Sequence, residues 1–253
     1  MNYVNCNKED LEKEYAALVA EYEEVKGKGL KLNMARGKPG EDQLNLSRPL
    51  LDVINSSTDC ITAHGADCRN YGELAGIDEC KNFFAEIFDV DPSDVMVGGN
   101  SSLNMMFDTI AGFMTKPVVE GCKPWYEVKN RKFLCPAPGY DRHFAITEYF
   151  DFDLIPVPMT ENGPDMDVVE KLVENDDSIK GIWCVPKYSN PLGITFSDET
   201  VKRFAALKPA AKDFRIMWDN AYCVHDVTDT PDELLSLMAE CRKTGNVDLP
   251  IMF

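Results

Sequence analysis

A chain of 253 residues with 44% hydrophobic content is long enough to bury one large α/β core or two small ones, and this composition argues against disorder. With 43 acidic against 26 basic residues the formal net charge is −17, which opposes non-specific binding to nucleic acid or to an anionic membrane but leaves room for a local basic pocket that takes an acidic substrate. Nine cysteines without a C-x-x-C pair, an N-terminus without an apolar leader and the lack of a membrane-length apolar run predict a reduced, soluble, cytoplasmic protein.

Residues 8–26 read as an amphipathic helix, with Leu11, Tyr15, Leu18, Tyr22 and Val25 at three- and four-residue steps, ended by Gly27 and Gly29. It suits a packing helix or a dimer arm. Asn33-Met34-Ala35-Arg36-Gly37-Lys38-Pro39-Gly40 is too rich in Gly and Pro for a helix or a central strand. Asp67-Cys68-Arg69-Asn70-Tyr71-Gly72 precedes a helix over 77–88, whose apolar face is Cys80, Phe83, Phe84, Ile87 and Phe88. Val95-Met96-Val97 then reads as a strand, Gly98-Gly99-Asn100-Ser101 as a turn, and Leu103, Met106, Phe107 and Ile110 as a helix. Such a turn aims backbone N–H groups and the positive end of a helix dipole at one point, which suits a phosphate. Taken alone, it is equally a plain helix cap. It is neither a Walker loop nor a dinucleotide fingerprint.

Further on, the strand 132–135 closes on Pro136-Ala137-Pro138-Gly139-Tyr140-Asp141-Arg142-His143, and a strand over 154–159 and a helix over 165–173 follow. Strand 181–185 runs into Lys187-Tyr188-Ser189-Asn190-Pro191-Leu192-Gly193, and after a helix over 198–207 strand 214–218 delivers Asp219-Asn220-Ala221-Tyr222. A helix over 231–242 and a strand over 249–253 end the pattern. This alternation predicts an α/β fold with a mostly parallel sheet and helices on both faces. Ligands of such sheets bind at the carboxyl ends of the strands, where Asn190 and Asp219 converge. Separately, an Asn-Pro-Leu-Gly is most often a turn and a strand-end Asp most often a helix cap.

Together, Asn-Pro-x-Gly followed by Asp-x-Ala-Tyr, in this order and at this spacing, resembles the fold-type-I pyridoxal-phosphate enzymes and in particular the aspartate aminotransferase family. The resemblance implies pyridoxal 5'-phosphate as cofactor, and Asp219, Tyr140 and Tyr222 as the catalytic set. Asp219 would pair with the protonated pyridine nitrogen, making the ring a better electron sink. Asn190 and Tyr222 would hydrogen-bond its phenolic oxygen, Gly99, Asn100 and Ser101 would take the phosphate, Tyr140 would stack on the ring, and His143 would orient Asp219 from behind. Tyr71 matches the residue that reaches the phosphate of the partner subunit, which implies a homodimer; read without the resemblance, it is a buried tyrosine ahead of a helix. Gly37, with Asn190, would lie near the substrate carboxylate, where Arg36 or Lys38 could add positive charge or remain solvated.

The set Ala-Arg-Gly-Lys-Pro, Asp-Cys-Arg-Asn-Tyr-Gly, Pro-Gly-Tyr-Asp-Arg-His-Phe and Lys-Tyr-Ser-Asn-Pro resembles a bacterial subgroup of that family, implying aspartate and 2-oxoglutarate as the amino-acid and 2-oxo-acid pair. The expected organisation is a helix and active-site segment over 1–45 and a pyridoxal-phosphate-binding large domain over 46–253. In the family the Schiff-base lysine, which moves protons as general acid and base, follows the next strand, and the arginine for the substrate carboxylate comes later still. Lys243, the only lysine downstream of Asp219, sits at a polar helix end. The sequence therefore reads as an N-terminal portion that is inactive alone. A carbon–sulfur lyase and a non-catalytic cofactor-binding fragment or paralogue share the same motifs. No DNA-binding domain is visible, and three histidines at no metal-ligand spacing give no zinc site.

Overall fold

The computed structural model describes residues 3–32 and 37–253. It divides into two compact units, Met1–Asp59 and Cys60–Phe253. In the first, helix α1 (Lys8–Gly27) starts at Asn7, whose side chain accepts from the Asp10 N–H, and carries Glu9 and Asp10 in its first turn, where the helix dipole favours them. Helix α2 (Glu41–Ser47) and a 3-10 turn (Arg48–Asp52) follow. The predicted apolar stripe of α1 is present but uncovered: no residue of the helix is buried, and Tyr15 and Tyr22 are largely exposed.

The second unit is built on a six-stranded sheet in the order β3-β2-β1-β4-β5-β6, where β1 is Lys132–Ala137, β2 Asp153–Thr160, β3 Gly163–Pro164, β4 Ile179–Cys184, β5 Arg215–Trp218 and β6 Pro250–Met252. Every pairing is parallel except that of β2 with the short β3. Helices α3 (Asp78–Phe88), α4 (Ser102–Thr115), α5 (Asp141–Tyr149), α6 (Met166–Asn175), α7 (Asp198–Ala205) and α8 (Leu237–Thr244) surround it. The side-chain alternation of strands sorts the core into two layers. Phe133, Cys135, Trp183 and Met217 pack on the side of α4 and α5, while Leu134, Ile182, Cys184, Ile216 and Trp218 pack on the side of α6, α7 and α8. β4 and β5 are buried along their whole length, as strands covered on both faces must be.

At the amino ends of these two strands Lys180 meets Asp213 at 2.8 Å, and Asp213 also accepts from the Trp125 indole N–H at 2.9 Å, so the buried acid is fully engaged. Among the described residues no helix is long and apolar enough to cross a membrane.

Two expectations are corrected. Residues 95–97 form no strand: the Val97 N–H bonds the Ala75 carbonyl, and no ladder extends from there. The helix predicted over 231–242 begins only at Leu237. Ser236 caps it by accepting from the Ala239 N–H, while Asp232 accepts from the Thr195 hydroxyl, holding the preceding stretch in an irregular path. Its end also shifts, to Gly245, whose φ of +80° suits a residue without a side chain.

Candidate active site

The sheet order sets the location. From β1 the chain passes to β2 on one side and then returns to β4 on the other, so β1 and β4 diverge at their carboxyl ends and leave a crevice of the kind that binds ligands. Three loops leave the strand ends at this point, from β1, β4 and β5. A cavity of about 320 Å³ lies there, and Asn100, Ser101, Tyr140, Asn190, Asp219 and Tyr222 all line it.

Asp219 follows the last residue of β5, and its N–H bonds the Cys184 carbonyl of β4 at 2.9 Å, extending the ladder by one step. The residue is 5% exposed. One carboxylate oxygen, Oδ2, meets His143 Nε2 at 2.8 Å, while the other, Oδ1, is buried without a hydrogen-bond partner among the described residues. An unmatched buried carboxylate oxygen is costly unless a donor arrives. His143 itself is fixed: it lies in α5, is 1% exposed, stacks on the Trp183 indole at 4.6 Å between centroids, and meets the Tyr140 ring edge-on at 5.0 Å.

Tyr140 ends the turn from β1 and stands at the N-cap of α5. Gly139 makes this turn possible, because a Cβ there would fall 2.2 Å from the Pro136 carbonyl oxygen and 2.7 Å from the Phe144 ring. On the opposite side, Ser101 is the N-cap of α4, and the unpaired N–H groups of that helix's first turn open toward the cavity beside Asn100. Gly99 is exposed just ahead of them. The loop after β4 is held by Ser189, whose hydroxyl donates to the Val185 carbonyl and whose N–H donates to the Ile194 carbonyl, bringing Asn190 to the rim.

The remaining predicted residues lie elsewhere. Tyr71 is 98% exposed and lines no part of this cavity; the alternative of a buried tyrosine is excluded for the chain as it stands. Gly37 and Lys38 are exposed residues of the first unit, and Arg36 falls outside the described residues. Lys243 is two-thirds exposed at the end of α8 and pairs with Glu240. Sequence reasoning missed Trp183, which only the alternation of β4 could have placed behind His143. It also missed Lys187, buried at the end of the same strand.

The sequence profile of the aspartate amino-transferase family matches residues 6–253. The chain belongs to that family. Its relatives include an aspartate aminotransferase of Corynebacterium glutamicum, 44% identical over 89% of this chain and 52% of that protein, and a Mycolicibacterium smegmatis protein assigned as an aminotransferase, 43% identical over the whole chain and 59% of its own length. The crystal structure of an aspartate transaminase from Corynebacterium glutamicum superposes with a TM-score of 0.87 at 40% identity, covering 98% of this chain and 58% of the other. The chain thus spans little more than half the length of these family members. More distant family folds, among them an archaeal alanine:glyoxylate aminotransferase at 20% identity and a TM-score of 0.58, share the architecture alone.

The family implies a pyridoxal cofactor, and the donor set of the cavity fits one. The partnerless Oδ1 of Asp219 is an acceptor for a protonated ring nitrogen, Tyr140 offers an aromatic face, Tyr222 and Asn190 carry hydrogen-bond donors, and the α4 N-terminus is suited to a phosphate.

Proposed function

We propose that this chain supplies the cofactor-binding part of a pyridoxal-phosphate-dependent aminotransferase that moves an amino group between aspartate and a 2-oxo acid such as 2-oxoglutarate. The observation that carries the reading is the asymmetry of Asp219, a residue lining a cavity that the α4 N-terminus also lines: one oxygen is fixed by His143, and the other is buried and has no hydrogen-bond partner among the described residues. The names of the Corynebacterium relatives support the choice of aspartate.

When bound, the cofactor supplies an electron sink for the charge left at the substrate Cα once its proton is removed. The protein's part is electrostatic and positional. Asp219 would accept the hydrogen bond of a protonated ring nitrogen, and the low polarity of its buried setting would strengthen that interaction. His143 fixes the plane of the carboxylate, with Trp183 behind the imidazole preventing rotation. Tyr222 and Asn190 would donate hydrogen bonds to the ring oxygen, Tyr140 would cover the ring, and Gly99, Asn100 and Ser101 with the α4 amides would anchor the phosphate. In this reading Tyr71 would serve the phosphate of a partner subunit and Gly37 the substrate carboxylate, which makes the working form a homodimer.

The test is Asp219→Ala in the protein that carries this chain, assayed for amino transfer from aspartate to 2-oxoglutarate. Turnover should fall by at least ~100-fold, the usual scale for removing a buried charge-stabilising group. Near-normal turnover in a folded variant contradicts the assigned role.

A further inference from the structure

Lys187 is unused by the reading above, yet it is the lysine most deeply buried near the carboxyl end of the sheet. Its side chain is 7% exposed, and its Nζ donates to Asp226 Oδ1 at 3.1 Å while lying 5.4 Å from the centre of the Tyr188 ring. Burying an ammonium is unfavourable unless an anion accompanies it. Here that anion comes from a different loop, 39 residues on.

The placement of the two residues is informative. Lys187 lies three positions before Asn190, on the loop leaving β4; Asp226 lies four positions after Tyr222, on the loop leaving β5. The backbone ladder between these strands ends where the Asp219 N–H meets the Cys184 carbonyl. Beyond it, among the described residues, two side-chain hydrogen bonds join the two loops, Lys187 to Asp226 beside the Asn190 and Tyr222 positions and Thr195 to Asp232 farther along each loop. Asp226 reaches Tyr222 through a tight turn in which the His225 N–H donates to the Tyr222 carbonyl, with the two rings edge to face at 5.8 Å. The pair faces a second cavity of about 450 Å³, lined also by Trp218, Asn220 and Cys223 and distinct from the one holding Asp219. Burial raises the Cys223 thiol above its ordinary range, opposed by the backbone N–H groups of Val224 and Cys223 and, more weakly, by the Lys187 charge. At the amino ends of the same strands Lys180 and Asp213 make the equivalent link.

We propose that Lys187 and Asp226 form a tether that sets the spacing of the Asn190 and Tyr222 loops, so that both side chains address one ring oxygen. Lys187 is thus a positioning residue that touches neither cofactor nor substrate. The functional half of this inference rests on reading the neighbouring cavity as a pyridoxal-phosphate site; the tether itself does not.

The experiment follows hydrogen–deuterium exchange of the chain in Lys187→Met, Asp226→Asn, the double variant and Lys187→Arg. Each single substitution should speed exchange about ten-fold in both loops, 188–194 and 220–225, while β1 is unchanged; the double variant should be no faster than either single one, and Lys187→Arg should stay within about two-fold of the parent. A rise confined to the loop that carries the substitution, additive effects, or an equal rise in β1 overturns the tether. In parallel, affinity for pyridoxamine 5'-phosphate, which has no aldehyde to react with stray lysines, should fall about ten-fold in both single variants. Loosened loops with unchanged affinity overturn the positioning role. No affinity in the parent chain, with the exchange pattern as expected, instead counts against the cofactor reading and leaves the tether standing.

Discussion

Asp219 shows how one residue can be given two environments. The His143 contact at 2.8 Å secures Oδ2, whereas Oδ1 has no donor among the described residues and is free to accept one from a bound group. A contrasting acid is Asp176, whose partners are all internal: it accepts from Lys132 Nζ at 2.7 Å and from the Ser178 hydroxyl and N–H. Those contacts, with the Lys132 hydrogen bond the largest, bring its carboxyl down to about 2 from 3.8. Because the folded value is the lower one, the contribution to stability is complete above about pH 4 and is lost as pH falls through about 2. Asp176→Asn should therefore be less stable than the parent by about 1 kcal/mol at pH 6, a surface-pair magnitude, with the gap closing as the pH approaches 2. Urea titrations at several pH values check this; a gap that widens on acidification contradicts it.

At the scale of elements, the strands were the most legible part of the sequence. Short apolar runs bounded by Pro, Gly and charged turns placed β1, β2, β4 and β5 to within a few residues; for β1, β4 and β5 the reason is burial on both faces, which leaves little choice of composition, whereas β2 is mostly half-buried or exposed. Strand β3, two residues of Gly and Pro, carries no such signal. The misplaced strand over 95–97 has β-branched residues but lacks a partner in the sheet, and the late start of α8 depends on Ser236 and Asp232 finding partners that are distant in sequence. Close approach across the sheet was equally invisible. Gly181 in β4 has an ordinary backbone, but a Cβ there would lie 2.5 Å from the buried Phe133 ring and 2.7 Å from the Arg215 carbonyl oxygen. Gly181→Ala should cost about 1–3 kcal/mol in a denaturant titration, as overpacking does; a neutral result would mean that β4 and β5 separate easily.

For the molecule as a whole, the family and the sheet were readable because motif order survives when single motifs are ambiguous: Asn190, Asp219, Tyr222, Tyr140 and the Asn100-Ser101 turn, spread over nearly half the chain, line one cavity. Tyr71 was singled out by resemblance alone, and at 98% exposure it is accessible to the second copy that the proposed homodimer would bring. Mixing a Tyr71→Ala protein with an Asp219→Ala protein should restore activity, since a hybrid dimer holds one site with both defects and one with neither; random exchange gives about a quarter of the parent's sites. No recovery after demonstrated subunit exchange contradicts a shared site.

The central claim is that Asp219 Oδ1 is the acceptor for a protonated ring nitrogen, and the most direct test compares the binding of pyridoxamine 5'-phosphate with that of its analogue carrying carbon in place of that nitrogen. The parent protein should prefer the nitrogen-containing ring by about ten-fold or more, the scale of one charge-assisted hydrogen bond in a buried site, and Asp219→Ala should bind the two alike. Equal affinities in the parent, or a preference that survives in Asp219→Ala, would contradict the account.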